Sequence, residues 1–278
     1  MSEPSPADVL AAVRDRAPLV HCLTAAVTMN TVADALLAAG ARPMMTETDQ
    51  EAPVVVTRAH ALLINLGTLS TDGAAGIPPT VAAARSRGLP WVLDPAAVGV
   101  APVRTRIAAD LLRESPAVIR CNASEALVLS GLGSGGSGPD STARSEEAAE
   151  AAIRLARSCD TVVAVSGEVD LITDGHRIVR LDRGTPTLTR VTGTGCSLGA
   201  LTAACCAVAD PWTAAITATL WVTIAAERAE GVAAGPGSFK IAWLDALSAL
   251  EPQALDPAPH EAAIQPDTEP ANRPADEG

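Results

Sequence analysis

The stretch ALLINLG, residues 61–67, opens with four consecutive apolar residues and no alternating polar position. A strand with one face in water alternates apolar and polar residues, whereas a strand covered on both faces is apolar throughout. Comparable runs are PLVHCL (18–23), PWVLD (90–94), AVIRC (117–121) and TVVAVSG (161–167). Ala-rich helical patterns separate them, near residues 28–39, 78–87, 105–114, 124–131 and 145–158. This alternation predicts an α/β domain with a mostly parallel central sheet and helices on both faces.

The pattern changes after Gly167. The runs DLITDG and HRIVRLD flank Asp174-Gly175, which predicts a β-hairpin. A third extended run is predicted at TLTRVTG (187–193), and the helices that follow are expected at about 196–209, 212–230 and 238–250. The Gly/Ser-rich loop 133–145 and the acidic, Pro-rich tail 251–278 are expected to be unstructured. We therefore predict one domain over residues 1–250, followed by a disordered tail.

Composition excludes several classes of partner. The chain has 278 residues, a net charge of −12 and 2% aromatic residues, with no tyrosine. Nucleic acids and anionic membranes are not expected as partners, because they bind basic surfaces and bases stack on aromatic rings. Six cysteines without a C-x-x-C pair, together with the absence of a signal segment, favour reduced thiols in a cytoplasmic protein.

The segment VTGTGCSLGA (191–200) places glycines and a cysteine directly before a predicted buried helix. The backbone N–H groups of Gly193, Thr194 and Gly195 can converge at the helix N-terminus, where they favour a negative charge. We expect Cys196, in the first turn, to have a lowered thiol pKa, which would make it accessible as a base. A simple glycine turn followed by a buried small residue explains the local sequence equally well.

Other polar residues follow the predicted strands, where ligands bind in open parallel sheets. They are Asp94, Asn122 with Glu125, and Ser166 with Glu168. The chain has one lysine, Lys240, and no G-x-x-x-x-G-K-[ST] sequence, so a Walker-type phosphate loop is excluded. A phosphate would then have to be bound by backbone amides, a metal ion and an arginine, of which Arg120 is the best placed.

Each of these residues also has a structural explanation. Asn122 and Glu125 have the spacing of a helix-capping pair. Arg120 could form a surface salt bridge, Asp94 could be an acid at a strand-to-turn boundary, and His21 could be a core histidine with its hydrogen bonds satisfied. The residues taken singly leave these alternatives open.

Taken together, seven stretches resemble the hydroxyethylthiazole kinase family of the ribokinase-like superfamily. They are PLVHCLTAAVTMN (18–30), ALLINLGTLS (61–70), WVLDPAAVG (91–99), VIRCNASE (118–125), VVAVSGEVDLITDG (162–175), VTGTGC (191–196) and GPGSF (235–239). The resemblance covers about residues 15–250 and implies a ribokinase-like fold. It also implies ATP- and Mg²⁺-dependent phosphorylation of the hydroxyl of 4-methyl-5-(2-hydroxyethyl)thiazole in thiamine salvage. Family members are homotrimers with sites at subunit interfaces, so a homotrimer is implied.

The resemblance also implies residue roles. Gly193, Thr194 and Gly195 would form the anion hole, and Cys196 would lie beside the acceptor hydroxyl, where superfamily relatives carry an aspartate base. The remaining implied ligands are Arg120, Ser166, Asn122 and Glu168 for ATP, Asp94 and Glu125 for Mg²⁺, partly through water, and Met45, Asn30 and the backbone of Gly193 for the thiazole.

The chain departs from the family pattern near the acceptor. The family reads I-T-N-N or I-T-N-A where this chain has Ala25 and Ala26 after Thr24, and Ala97 replaces a glycine. A kinase for another small primary alcohol and a degenerate, nucleotide-binding regulatory protein therefore remain alternatives. A dinucleotide-dependent oxidoreductase is disfavoured, because no G-x-G-x-x-G follows the first strand.

Overall fold

The computed structural model describes residues 3–133, 145–255 and 261–264, which form an α/β fold around one sheet. The strands are β1 (Leu19–Leu23), β2 (Arg42–Met44), β3 (Ala61–Asn65), β4 (Trp91–Asp94), β5 (Val118–Asn122), β6 (Val162–Ser166), β7 (Asp170–Thr173), β8 (Arg177–Leu181) and β9 (Glu261–Ala263). Their order in the sheet is β2-β1-β3-β4-β5-β6-β7-β8-β9. Strands β1 to β6 pair in parallel with their neighbours. Strands β7, β8 and β9 continue the sheet in antiparallel pairs. The mostly parallel sheet and the β7–β8 hairpin are confirmed.

Helices cover both faces of this sheet. They are α1 (Pro6–Arg16), α2 (Met29–Ala38), α3 (Ala52–Val55), α4 (Thr71–Ser86), α5 (Pro102–Leu111), α6 (Ala123–Leu129), α7 (Ser145–Cys159), α8 (Thr194–Cys206), α9 (Pro211–Glu230) and α10 (Pro236–Ala249). Leu63 packs in the apolar cluster that contains residues of α1, α2, α8, α9 and α10. Leu62 and Ile64 pack in the cluster on the opposite face. The ALLIN strand is therefore apolar throughout because both of its faces are buried.

Helix α8 positions the glycine segment. Ten of the helix's consecutive residues, Ser197 to Cys206, are buried, and the helix packs against α9, β1, β3 and β4. A helix buried on nearly all sides has no polar face, which explains its apolar sequence. The polar residues that end β3 and β4, Asn65 and Asp94, thereby lie near Cys196 in the first turn of α8. Across the described residues, no helix combines the length and the apolar character needed to cross a membrane.

Helix α4 begins earlier than the sequence predicted. The sequence predicts a helix near residues 78–87. The helix begins at Thr71, after Ser70, whose side chain accepts a hydrogen bond from the Gly73 N–H. Pro78 and Pro79 lie inside the helix. Proline is best tolerated in a first turn, so its position misled the prediction, while the Ser70 cap was the better indicator.

Other parts of the fold also differ from the sequence prediction. The run 187–193 is not extended, because Pro186–Arg190 forms a 3₁₀ helix that begins after Thr185. Helix α1 and the short edge strand β2 were not predicted. Part of the tail is ordered, since residues 252–255 form a 3₁₀ turn and β9 pairs with β8. The other tail residues, 256–260 and 265–278, and residues 134–144 of the Gly/Ser-rich loop lie outside the described residues.

Candidate active site

Four polar side chains lie at one edge of the sheet because four parallel strands end there. Asn65 ends β3, Asp94 ends β4, Asn122 ends β5 and Ser166 ends β6. The strand register pairs Asn65 with Asp94 and Asn122 with Ser166. Asp94, Asn122 and Ser166 therefore lie at strand ends, where the sequence placed them; their roles in binding stay a prediction. Asn65 was missed, although a single amide at the end of an apolar strand could have indicated it.

Arg120 lies at the centre of this edge. Its Nη2 donates a hydrogen bond to Ser166 Oγ at 2.9 Å, and its Nη1 is 3.7 Å from Asp94 Oδ2. The side chain is 15% exposed, so the surface salt-bridge alternative is wrong. The buried Nε–H has no hydrogen-bond partner among the described residues. A buried guanidinium with a free donor is suited to an anionic oxygen.

Asp94 is 2% exposed and accepts a hydrogen bond from Asn65 Nδ2 at 2.6 Å. Its pKa is raised to about 7, mainly by burial and also by the Glu125 carboxylate, while the Arg120 charge and the Asn65 hydrogen bond oppose the rise. Asn65 is fixed in turn, because its Oδ1 accepts the Gly67 N–H at 2.8 Å. Asp94 can therefore change its protonation near neutral pH when a cation or phosphate approaches.

The glycine turn before α8 requires glycine at two positions for different reasons. Gly193 has φ +99°, and a Cβ there would lie 3.0 Å from Thr31 Cβ. A Cβ at Gly195 would lie 3.1 Å from Arg120 Nη1. The first turn of α8 therefore directly faces the arginine, which brings a helix N-terminus and a guanidinium to one place. Thr194 contributes its backbone only, since its hydroxyl donates to Leu188 O at 2.8 Å.

Cys196 lies in this first turn and is partly buried. Its pKa is raised above its ordinary value by burial and by the nearby Asp94 carboxylate; hydrogen bonds with Thr28 and Asn65 and the charge of Arg120 act in the opposite direction. The expectation of a lowered pKa is therefore wrong. The helix N-terminus favours a thiolate, but loss of water and a neighbouring carboxylate disfavour it more.

Asn122 and Glu125 form a capping box at the start of α6. Asn122 Oδ1 accepts the Glu125 N–H at 2.9 Å, and Glu125 Oε2 accepts the Asn122 N–H at 2.9 Å. Glu125 Oε1 also accepts the Ala97 N–H at 2.9 Å. Burial raises the pKa of Glu125. Ala97 has φ +66°, a conformation that glycine adopts more readily, so this departure from the family pattern costs strain.

The remaining predicted residues lie on other segments of the fold. Glu168 is exposed on the loop after β6, and Asn30 is exposed in the first turn of α2. Met45 is partly buried and packs against the cluster that contains α8. Lys240, which the sequence analysis gave no role, donates from Nζ to Thr31 Oγ1 at 2.8 Å. Within the described ranges, no three His, Cys, Asp or Glu side chains are grouped as metal ligands.

Comparisons with known proteins place this geometry in a family. The model of the hydroxyethylthiazole kinase family matches residues 10–253. The chain belongs to this family. A hydroxyethylthiazole kinase from Kineococcus radiotolerans is 51% identical over 257 residues, which are 91% of this chain and 94% of that protein.

Solved structures support the same assignment. The hydroxyethylthiazole kinase of Pyrococcus horikoshii OT3 superposes with a TM-score of 0.85 at 36% identity, over 94% of this chain and 99% of that chain. A ribokinase-like superfamily protein from Enterococcus faecalis superposes with a TM-score of 0.62 at 12% identity, over 87% and 93% of the two chains. The family resemblance and the ribokinase-like fold are thus confirmed. The chain is a member of a kinase family.

Proposed function

We propose that this chain transfers the γ-phosphoryl group of ATP to the hydroxyl of 4-methyl-5-(2-hydroxyethyl)thiazole, a step of thiamine salvage. The named activity of its relatives supports this substrate. The observation that carries the proposal is the buried Arg120 guanidinium, with its unpartnered Nε, directly against Gly195 at the start of α8. A guanidinium and a helix N-terminus together favour the charge of a phosphoryl group in transfer.

Arg120 and the glycine turn act on the phosphates. Arg120 would donate to oxygens of the transferring group, while Ser166 keeps the guanidinium in place through its hydroxyl. The backbone N–H groups of Gly193, Thr194 and Gly195 would surround the same group from the other side. Phosphoryl transfer depends mainly on positioning and charge stabilisation, and this arrangement provides both. We further propose that Asn122 and Glu168 contact the nucleotide from the ends of the neighbouring strands.

Asp94 and Glu125 are the residues that would hold Mg²⁺, partly through water. Mg²⁺ usually takes one or two protein carboxylates and completes its coordination with water and phosphate oxygens, so two carboxylates suffice. The charge balance is also suitable, since the Arg120 cation faces the carboxylates of Asp94, Glu125 and Asp170. When bound by these residues, Mg²⁺ would supply positive charge that offsets the repulsion between the carboxylates and the ATP phosphates.

Cys196 would lie next to the acceptor hydroxyl. Because its pKa is raised, the thiol is mostly protonated at neutral pH. Proton removal from the alcohol is a minor part of a loose phosphoryl transfer, so a scarce thiolate still suffices as the base. In this proposal the thiolate takes the hydroxyl proton as the new O–P bond forms, and the O–P bond to ADP breaks.

The acceptor is proposed to bind between Met45, Asn30 and the backbone of Gly193, in a cytoplasmic homotrimer as the family implies. A second candidate is another small primary alcohol, because Ala25 stands where the family carries asparagine. Ala25 is 2% exposed, and its Cβ would lie 2.9 Å from a Cβ at Gly67. This position therefore offers the acceptor no side-chain amide.

The proposal is tested by incubating the purified protein with ATP, Mg²⁺ and a panel of small primary alcohols that includes the thiazole. Phosphorylated products are identified by mass spectrometry. We expect thiazole phosphate in amounts proportional to enzyme, and at least a hundredfold less with Arg120→Met. Equal turnover by Arg120→Met, or a faster reaction with another alcohol, would overturn the assignment of site or substrate, respectively. ATP binding without any product would favour the regulatory alternative.

A further inference from the structure

His21 differs from the apolar residues that surround it in the sheet. It lies in the middle of β1, in register with Met44 of β2 and Leu62 of β3, and is 0% exposed. Its strand neighbours Val20 and Cys22 point to the cluster around α8. Alternation along the strand therefore directs His21 to the opposite face, towards the cluster that includes Leu62.

The imidazole ring of His21 makes its hydrogen bond through Nε2. His21 Nε2 lies 2.8 Å from the carbonyl oxygen of Thr46, so a neutral ring with its proton on Nε2 donates this bond. The buried Nδ1 has no partner among the described residues. A buried polar atom without a partner lowers the stability of the fold. The favourable polar interaction of this ring is therefore the hydrogen bond from Nε2 to Thr46.

Thr46 belongs to a segment, residues 45–51, that is attached to the rest of the fold at a few defined points. Thr46 Oγ1 donates to Glu51 Oε2 at 3.2 Å. Glu47 Oε1 accepts the Ser70 hydroxyl at 2.8 Å, which fastens the segment to the start of α4. The beginning of the segment follows β2, which ends at Met44 and pairs with β1. The bond from His21 adds a second link to the central sheet, two residues after that strand ends. It acts on the residue directly after Met45.

We propose that His21 is a positioning residue for the acceptor site, which it orders by holding the Thr46 carbonyl and thereby Met45. This inference rests on the proposed function, in which Met45 lines the acceptor pocket. His21 does not touch the reacting atoms in this account. The order of the acceptor site therefore depends on His21, whereas the nucleotide site, which is built on Arg120 and Ser166, does not depend on it.

Three variants separate positioning from a general loss of packing. In His21→Gln the amide nitrogen is as many bonds from the backbone as Nε2, so it can still donate to Thr46. In His21→Asn the side chain is one bond shorter, so its amide nitrogen cannot reach the Thr46 carbonyl. Leu62→Val is the matched control, because it removes volume at the residue in register with His21, on the same face, and leaves the hydrogen bond to Thr46 in place.

The kinetic test measures KM for the thiazole alcohol and for ATP separately. We expect His21→Asn to raise the acceptor KM roughly tenfold, the effect of one lost hydrogen bond at a buried carbonyl, and to change the ATP KM less than twofold. His21→Gln should restore the acceptor KM to within about threefold. Equal changes in both KM values, or an identical result for Leu62→Val, would overturn the proposal.

A second measurement does not depend on activity. Amide hydrogen exchange of peptides that cover residues 44–51 should become at least about tenfold faster in His21→Asn and remain unchanged in His21→Gln. If wild-type protein fails to phosphorylate any alcohol, the proposed function is wrong, and the exchange result still decides the role of His21. Unchanged exchange in His21→Asn would refute that role.

Discussion

Replacing Gly195 by alanine separates the stability of the α8 turn from its binding function. Gly195 is the second residue of α8 and does not have a positive φ, so alanine can adopt its backbone conformation. Alanine is better than glycine in a helix by about 1 kcal/mol. The added methyl group would lie 3.1 Å from Arg120 Nη1 and 3.2 Å from Nη2, which is tighter than an ordinary contact.

The guanidinium therefore has to move by a few tenths of an ångström. It is held in place by its 2.9 Å hydrogen bond to Ser166 and by its proximity to Asp94. Losing one charge-assisted hydrogen bond to a phosphate costs about 1.5–3 kcal/mol, which corresponds to roughly a 10- to 150-fold weaker affinity for ATP. Thermal stability should remain equal to wild type or rise slightly.

Calorimetric titration with ATP and Mg²⁺, together with thermal melting, measures both quantities. Gly237→Ala is the matched control, since Gly237 lies in α10 and a Cβ there meets no atom within 4 Å. The control should gain the same helix stability and bind ATP like wild type. A folded Gly195→Ala protein with wild-type ATP affinity would refute the placement of the phosphates at this turn.

Further variants test three neighbouring residues. Gly193→Ala, with φ +99° and a Cβ 3.0 Å from Thr31 Cβ, should lower the stability by about 1–3 kcal/mol; a melting temperature equal to wild type would contradict this. Cys196→Ala should strongly lower turnover at nearly unchanged ATP affinity. Because burial raises the thiol pKa, wild-type turnover should rise with pH above 7 and that of Cys196→Asp should not; a flat wild-type profile would exclude a thiolate base. Burial raises the pKa of Asp170 from 3.8 to about 6, so the folded chain binds more protons than the unfolded chain in this range and stability falls as pH rises through it. Asp170→Asn should remove that loss, adding on the order of 1–3 kcal/mol above pH 6 and nothing at pH 4, as denaturant titration at both pH values can show.

Most of the fold was predictable because buried parallel strands have a simple sequence pattern. The β3 run is apolar because both of its faces are covered, and the turn at Asp174-Gly175 marks the hairpin of β7 and β8. The start of α4 was missed because Pro78 and Pro79 lie inside the helix, where proline is unusual, so the part before them has no clear helical pattern. Strand β2 was missed because three residues at an edge, two of them exposed, carry too little pattern.

The candidate site was partly predictable, since strand order and register decide which polar residues meet. Sequence position alone indicated Asp94, Arg120 and Ser166. It could not indicate the bond between Asn65 and Asp94, because that depends on which strands are neighbours. The pKa of Cys196 was predicted in the wrong direction, because a helix N-terminus is visible in the sequence while burial beside a carboxylate is not.

The most direct test of the central claim is a crystal structure with Mg²⁺ and a non-hydrolysable ATP analogue. We expect an oxygen of the γ-phosphate within about 3 Å of the Arg120 guanidinium and of a backbone N–H between Gly193 and Gly195. The acceptor alcohol should then lie beside the Cys196 sulphur. Phosphates bound at another edge of the sheet, with Arg120 still paired only to Ser166 and Asp94, would contradict the account.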